Sequence, residues 1–144
     1  MFQLIKFSTL IFYFLFFSIY LNSETNSVNS EMNLQTVKKI TPQQAHDLIE
    51  KLKYDPDFVI LDLRTPEEYK KEHIENAKNL NYYSKTFKNE LNKLEKDKTY
   101  VIHCRSGGRS GKTAHIMKEL GFNEVYDMGG ITQWKEQGFE TVKQ

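Results

Sequence analysis

Short apolar runs and amphipathic stretches alternate along the chain from about residue 41 to its end. Apolar, β-branched or aromatic runs predict strands over residues 58–63, 77–80, 100–103 and 124–127. Apolar residues with helical spacing predict helices over residues 41–52, 66–73, 84–94 and 111–120, and a short helix that carries Trp134 follows the last strand. Strands that alternate with helices predict an α/β domain around a mainly parallel sheet.

Residues at the predicted helix ends agree with these assignments. Thr41 is suited to cap the first helix, with Pro42 in its first turn. Glu67 and Glu68 lie where the positive end of a helix dipole favours carboxylates. Gly121 can adopt the left-handed conformation that ends the helix of residues 111–120. Local chemistry therefore predicts the same boundaries as the periodicity.

The first 23 residues differ in character from the rest of the chain. Residues 7–21 are uncharged and heavily aromatic, Lys6 precedes them and small polar residues follow. This pattern is typical of a secretory signal peptide, since a membrane span needs about 20 apolar residues. We therefore expect an exported protein, periplasmic or secreted. An uncleaved membrane anchor, with a tether through residues 7–21, is the alternative, and a buried core element is a third interpretation.

The composition of the remaining residues bears on the domain organisation and on the ligands that we expect. Residues 24–36 are rich in Asn, Ser, Thr and Glu and predict a flexible linker, which leaves residues 37–144 as a single domain. The chain has 20 basic and 19 acidic residues, and without residues 1–23 it loses only Lys6 among them. This balance predicts no nucleic-acid partner. Four scattered histidines and one cysteine predict neither a metal site nor a cofactor.

The single cysteine, Cys104, directly follows the predicted strand of residues 100–103. After it come Arg105, Ser106, Gly107, Gly108, Arg109 and Ser110. The glycine pair allows a tight turn, and free backbone amides at a helix N-terminus form an anion-binding concavity. Amides and cations favour a thiolate, so we expect the pKa of Cys104 to lie below the ~8.5 of an ordinary cysteine. The segment predicts an active site with an exposed thiolate that is prone to oxidation.

Two other interpretations of this segment start from its residues. Free cysteines are among the most buried residues, so Cys104 as a small core side chain is the first. His103 as a general base is the second. Side chains alternate along a strand, however, and His103 is predicted to point to the face opposite Cys104. Neither interpretation explains a glycine pair and two arginines after the thiol.

Three segments resemble the rhodanese-type sulfurtransferase family. Residues 104–110, Cys-Arg-Ser-Gly-Gly-Arg-Ser, resemble its C-x-x-G-x-R-S active loop. Residues 59–69 resemble its upstream D-x-R-x-x-x-E-[FY] signature, and residues 128–134 resemble its G-G-x-x-x-W signature. In a fourth segment Glu72 and Asn76 replace two glycines of the family pattern. Asn tolerates positive φ better than most residues, so Asn76 is expected to stand in for its glycine.

The resemblance implies a rhodanese-like fold, with a five-stranded, mainly parallel sheet flanked by helices and the cysteine loop at the carboxyl edge of its strands. It implies a thiosulfate sulfurtransferase that works through a persulfide on Cys104. The donor is thiosulfate or a similar anion, and the acceptor is cyanide, a small thiol or a protein thiol. The implied donor-binding residues are Arg105, Ser106, Gly107, Gly108, Arg109 and Ser110.

Supporting roles are also implied around this loop. Asp62 and Arg64 are expected to hold loops together by hydrogen bonds, and Trp134 is expected to lie in the core. A second role is open to Arg109, in which it pairs with a carboxylate to hold the loop and leaves the substrate to Arg105.

Three alternative functions stay open. Cysteine-dependent phosphatases, considered with arsenate reductases, place one residue more between cysteine and arginine than the four that separate Cys104 from Arg109. No sequence feature identifies the general acid that a phosphatase needs. The second alternative is a sulfur-binding module that carries a persulfide without turnover. The third is a redox relay, which would need a partner thiol because one cysteine cannot form an internal disulfide.

Overall fold

The computed structural model describes residues 35–143. The predicted signal segment of residues 1–23 and most of the predicted linker lie outside the described residues, as does residue 144. Within residues 35–143, no helix is both long enough and apolar enough to cross a membrane.

Five parallel strands form one sheet in this part of the chain. Their spatial order is β1 (Thr36–Lys39), β5 (Glu124–Gly130), β4 (Thr99–Cys104), β2 (Phe58–Asp62) and β3 (Lys78–Asn79). The predicted α/β fold with a five-stranded parallel sheet is confirmed. Strand β4 lies at the centre, so its last residue, Cys104, is at the carboxyl edge between β2 and β5.

Strand β1 is the strand that the hydrophobic pattern does not predict. Its sequence is Thr-Val-Lys-Lys, and Lys38 and Lys39 are exposed at the edge of the sheet. A four-residue edge strand with one apolar side chain has no alternation that distinguishes it from a linker. The sheet therefore begins at Thr36, one residue before the predicted domain boundary.

The described region has five helices, of which four connect consecutive strands and the fifth follows the last strand. They are α1 (Pro42–Leu52), α2 (Pro66–Lys71), α3 (Phe87–Asn92), α4 (Gly108–Glu119) and α5 (Ile131–Glu136). Thr41 and Thr65 cap α1 and α2, each in a capping box with the residue three positions later. Helix α3 is shorter than the predicted helix of residues 84–94, because the Ser84 hydroxyl accepts a hydrogen bond from the Thr86 amide in a turn before it.

The sheet separates two hydrophobic layers. Alternate residues of β4 enter opposite layers, with Tyr100, Ile102 and Cys104 on one side and Val101 on the other. Trp134 lies in the same layer as Val101 and donates its indole N–H to a backbone carbonyl oxygen at 2.9 Å. The prediction that Trp134 belongs to the core is confirmed.

Both departures from the family pattern suit the backbone. Asn76 has a φ of +62°, which is the left-handed conformation that favours glycine. Glu72 follows α2 in extended backbone with a φ of −169°, which any residue adopts. The expectation that Asn76 replaces a glycine without distortion is therefore confirmed.

Replacement of Asn76 by alanine should lower the free energy of unfolding by about 1 kcal/mol, because alanine is strained in the left-handed conformation. Asn76→Gly is the matched control and should stay close to the wild type, since glycine adopts positive φ freely. Urea unfolding followed by the fluorescence of Trp134, the only tryptophan of the chain, measures both variants. Equal stability of the two variants would contradict the prediction.

Candidate active site

The loop after β4 wraps around the sulfur of Cys104. The backbone turns at Gly107, whose φ of +101° is left-handed, and α4 begins at the next residue. This turn places the Gly107 amide nitrogen 3.1 Å from Cys104 Sγ. Cys104 is only 1% exposed, so the sulfur lies at the bottom of the loop. The expectation of an exposed thiolate is wrong, because the loop that supplies the amides also encloses the sulfur.

The loop packs on the glycine pair at the end of β5. A Cβ atom on Gly130 would lie 2.5 Å from the Arg105 carbonyl oxygen and 2.7 Å from Ser106 Cα, both of which are backbone atoms. Only glycine fits at that position. The Ser110 hydroxyl donates to the Gly129 carbonyl oxygen at 3.1 Å. The G-G-x-x-x-W segment therefore supports the cysteine loop through direct backbone contact.

Opposing influences act on the pKa of Cys104. Burial of the sulfur is the largest single one and raises the pKa. Hydrogen bonds from the amides of Ser110, Gly107, Ser106 and Arg109 lower it, and together they hold the pKa below its ordinary value. The predicted direction is confirmed, and backbone amides supply the stabilisation of the thiolate.

Arg109 points to a carboxylate and holds the loop against α2. Its Nη1 and Nη2 donate to the two carboxylate oxygens of Glu68 at 2.8 and 2.9 Å. The Tyr83 ring lies 5.4 Å from the guanidinium carbon. The hydrogen bonds from Arg109 are the main reason why the pKa of Glu68 falls to about 2. Of the two roles open to Arg109, this geometry matches the loop-holding one. The sequence places Glu68 at a helix terminus and in the D-x-R-x-x-x-E-[FY] signature, but it does not identify Glu68 as the partner of Arg109.

Asp62, the last residue of β2, forms a buried ion pair with Arg64 two residues later. Arg64 Nη2 donates to Asp62 Oδ2 and to the Glu72 carbonyl oxygen, each at 2.6 Å. The Asn79 side-chain amide donates to the carbonyl oxygens of Asp62 and Arg64 at 3.0 and 2.9 Å. These contacts match the expected structural role. They fix the segment that leads into α2, and hence the position of Glu68.

His103 lies beside Asp62 and not beside the thiol. Its Nε2 is 3.7 Å from Asp62 Oδ2, and its Nδ1 is 3.4 Å from the carbonyl oxygen of Cys104. Burial is the largest influence on the pKa of His103 and lowers it, so the ring is neutral at neutral pH. A buried ring in this position cannot serve as the base for an incoming thiol, in agreement with the sequence-based prediction.

A pocket of about 670 Å³ leads to Cys104. It is lined by Thr65, Glu68, Tyr82, Tyr83, Cys104, Arg105, Ser106, Gly108, Arg109 and Lys112. The predicted residues Gly107 and Ser110 instead lie around the sulfur, behind this lining. The sequence did not identify Tyr82, Tyr83 or Lys112, because each lies outside the motifs. Among residues 35–143, no group of three or more His, Cys, Asp or Glu side chains is placed to hold a metal ion.

Comparison with known proteins agrees with this geometry. The sequence model of the rhodanese-like domain family matches residues 41–137 of the chain. The chain belongs to the rhodanese-like family. Thiosulfate sulfurtransferase GlpE of Coxiella burnetii is 35% identical over 99 residues, which cover 68% of this chain and 87% of that protein.

Two further relatives show the extent of the rhodanese-like region. A rhodanese-related protein from Thermoplasma volcanium has the same fold, with a TM-score of 0.62 and 31% identity over 74% of this chain and 99% of that one. The tRNA uridine(34) hydroxylase of an Enterobacter species is 38% identical over 95 residues, or 58% of this chain. The match covers 27% of that protein, so this chain spans about a quarter of its length.

The lowered pKa of Cys104 should be visible in its alkylation. In the native protein, the rate of reaction with iodoacetamide should reach half its plateau below pH ~8.5, because the thiolate is the reacting form. In urea, which unfolds the protein, the midpoint of this pH dependence should return to the pKa of an ordinary cysteine. The chain has one cysteine, so the signal comes from Cys104 alone. Coincident midpoints in the native and unfolded protein would contradict the amide effect.

The Glu68–Arg109 pair should contribute stability that depends on pH. The pKa of Glu68 is about 2 in the folded protein and ~4.3 in an unfolded chain, so the contribution is full above ~4.3 and is lost as the pH falls toward 2. Glu68→Gln should lower the free energy of unfolding by about 1 kcal/mol at pH 7, and less at pH 3. Urea unfolding at the two pH values measures the difference.

Glu67→Gln is the control for the Glu68 variant. It removes a carboxylate from the same first turn of α2 but leaves the pair with Arg109 intact. A loss of stability equal to that of Glu68→Gln would assign the effect to the helix terminus instead of the pair.

Proposed function

We propose that this domain is a sulfurtransferase that moves a sulfane sulfur from thiosulfate, or a similar anionic donor, to a thiophilic acceptor through a persulfide on Cys104. The observation that carries the proposal is a thiol of lowered pKa, enclosed by backbone amides at the base of a pocket with cationic side chains. The likeness to GlpE of Coxiella burnetii, named a thiosulfate sulfurtransferase, supports thiosulfate as the donor.

The first half of the reaction loads the cysteine. The Cys104 thiolate attacks the outer sulfur of thiosulfate, the donor S–S bond breaks, and its electron pair leaves with sulfite. The outer sulfur stays on Cys104 as a persulfide. The amides that stabilise the thiolate also stabilise negative charge on the persulfide, while Arg105 at the pocket attracts the anionic donor. In the second half an acceptor takes the outer sulfur, and the electrons of the broken bond return to Cys104.

Two observations favour sulfur over phosphoryl transfer. Arg109, which follows Cys104 after four residues, is engaged by Glu68 and not presented as a free cation for a phosphoryl group. Glu68 is the one carboxylate among the described residues that line the pocket, and with a pKa of about 2 it is ionised at neutral pH. It cannot protonate a leaving group there.

A persulfide carrier is the second candidate, because the near-complete burial of Cys104 would shield a stored persulfide. The match to the tRNA uridine(34) hydroxylase covers 27% of that protein and brings no hydroxylase activity to this chain. Export, or attachment to a membrane, is a further proposal that rests on the composition of residues 1–23.

Incubation of the purified protein with thiosulfate should add the mass of one sulfur atom to the chain, and cyanide should remove it. Mass spectrometry measures both steps, and Cys104→Ser is the control that should stay unmodified. No mass gain on the wild type would overturn the proposal. Hydrolysis of an aryl phosphate that Cys104→Ser abolishes would establish a phosphatase instead.

Turnover separates the enzyme from the carrier. With excess thiosulfate and cyanide, an enzyme releases sulfite at a sustained rate over many equivalents per Cys104. A carrier releases the first equivalent on loading, and sulfite release then continues at a much lower rate.

A further inference from the structure

The pocket above Cys104 is larger than a small sulfur oxyanion or cyanide requires. Its volume of about 670 Å³ lies within the range of pockets that hold small organic ligands, roughly 300–1,000 Å³. Tyr82 and Tyr83 form part of its wall, with their rings edge to face and their centroids 5.5 Å apart. Tyr83 is 67% exposed, although it is a large aromatic residue. The volume and the aromatic wall suit an organic acceptor.

Two cations of this pocket have no carboxylate partner within the described part of the chain. The charge of Arg109 is neutralised by Glu68. Arg105 and Lys112 are exposed, and neither takes part in an ion pair. A persulfide anion on Cys104 carries one negative charge, so it compensates only one of the two positive charges of Arg105 and Lys112. An acceptor with its own negative charge is therefore favoured.

The depth of the sulfur discriminates between kinds of thiol. Cys104 is 1% exposed, so the outer sulfur of a persulfide is reached from inside the pocket. A broad protein surface would meet the exposed side chains of Tyr83, Arg105 and Lys112 before its own cysteine reached that sulfur. A small molecule does not meet this obstacle.

We propose that the sulfur acceptor is a low-molecular-weight thiol that carries a carboxylate, and that Lys112, together with Arg105, binds this carboxylate. The inference rests on the proposed sulfurtransferase function. The acceptor thiolate attacks the outer sulfur of the Cys104 persulfide and forms a new S–S bond. The outer sulfur takes a proton from water before the attack. The bond between that sulfur and Cys104 Sγ then breaks, its electron pair returns to Sγ as the thiolate, and the acceptor leaves as a hydropersulfide that holds the transferred sulfur and that proton.

The experiment separates loading of Cys104 from its discharge. The purified protein is loaded with thiosulfate, freed from excess donor and checked for the added sulfur by mass spectrometry. It is then mixed with N-acetylcysteine or with N-acetylcysteine amide, which lacks the carboxylate, and the loss of sulfur is followed by rapid-quench mass spectrometry. Rates are compared at equal concentrations of acceptor thiolate and are divided by the rates at which the same two thiols react with a small-molecule disulfide. This correction removes the differences in thiolate fraction and in intrinsic nucleophilicity, and the corrected rates are the ones compared.

The wild type should discharge about two- to fivefold faster to the carboxylate than to the amide, which is the range of an exposed ion pair. Lys112→Gln should remove at least half of this preference. Lys118→Gln is the matched control, because Lys118 is exposed on the same helix, loses the same charge and does not line the pocket. It should keep the preference of the wild type.

The outcomes distinguish this inference from the function on which it rests. Failure of Cys104 to load would overturn the sulfurtransferase proposal and the acceptor inference with it. Normal loading followed by equal rates to the two thiols would overturn the acceptor inference alone. So would an equal loss of preference in the Lys112 and Lys118 variants, since the effect would then belong to the net charge. Faster discharge to the carboxylate that depends on Lys112 supports the inference.

Discussion

Direct backbone contact between the cysteine loop and the end of β5 fixes the arrangement of this site. Gly130 lies against backbone atoms of Arg105 and Ser106, at distances that no side chain on residue 130 would permit. The register of the sheet creates this contact, because the pairing of β4 and β5 shifts after Ile102 and brings the glycine pair opposite His103 and Cys104. Bulges of this kind change the course of a strand locally, often beside active sites. A loop held by backbone contacts keeps its amides directed at the sulfur.

The stabilisation of negative charge on the sulfur follows from this packing. The amide dipoles are fixed by the backbone, so they stabilise the Cys104 thiolate without any movement of a counter-ion. Arg109 is therefore free to serve as a structural link, and its two hydrogen bonds to Glu68 join the loop to α2. The charged and polar groups thus have separate roles. Backbone amides stabilise the sulfur, Arg109 links the loop to α2, and the exposed cations line the pocket.

The sequence predicts the parts of this protein that local chemistry determines. Thr41 and Pro42 identify the start of α1, and the spacing of three motifs identifies the sheet edge where Cys104 lies. The sequence does not predict features that depend on residues distant in the chain. Edge strand β1 has one apolar residue and is recognised through its pairing with β5. The partner of Arg109 lies 41 residues away in the chain, and the pocket residues Tyr83 and Lys112 belong to no motif.

Burial of Cys104 also changes how an oxidising environment would act on the site. A thiolate of lowered pKa reacts readily with oxidants, and the chain has no second cysteine to trap an oxidised sulfur as an internal disulfide. At 1% exposure, however, the sulfur meets only molecules that enter the pocket. The loop that generates reactivity by surrounding the sulfur with amides thus restricts that reactivity to small reagents. If the chain is exported, resistance of Cys104 to oxidation depends on the shape of the pocket and not on a second thiol.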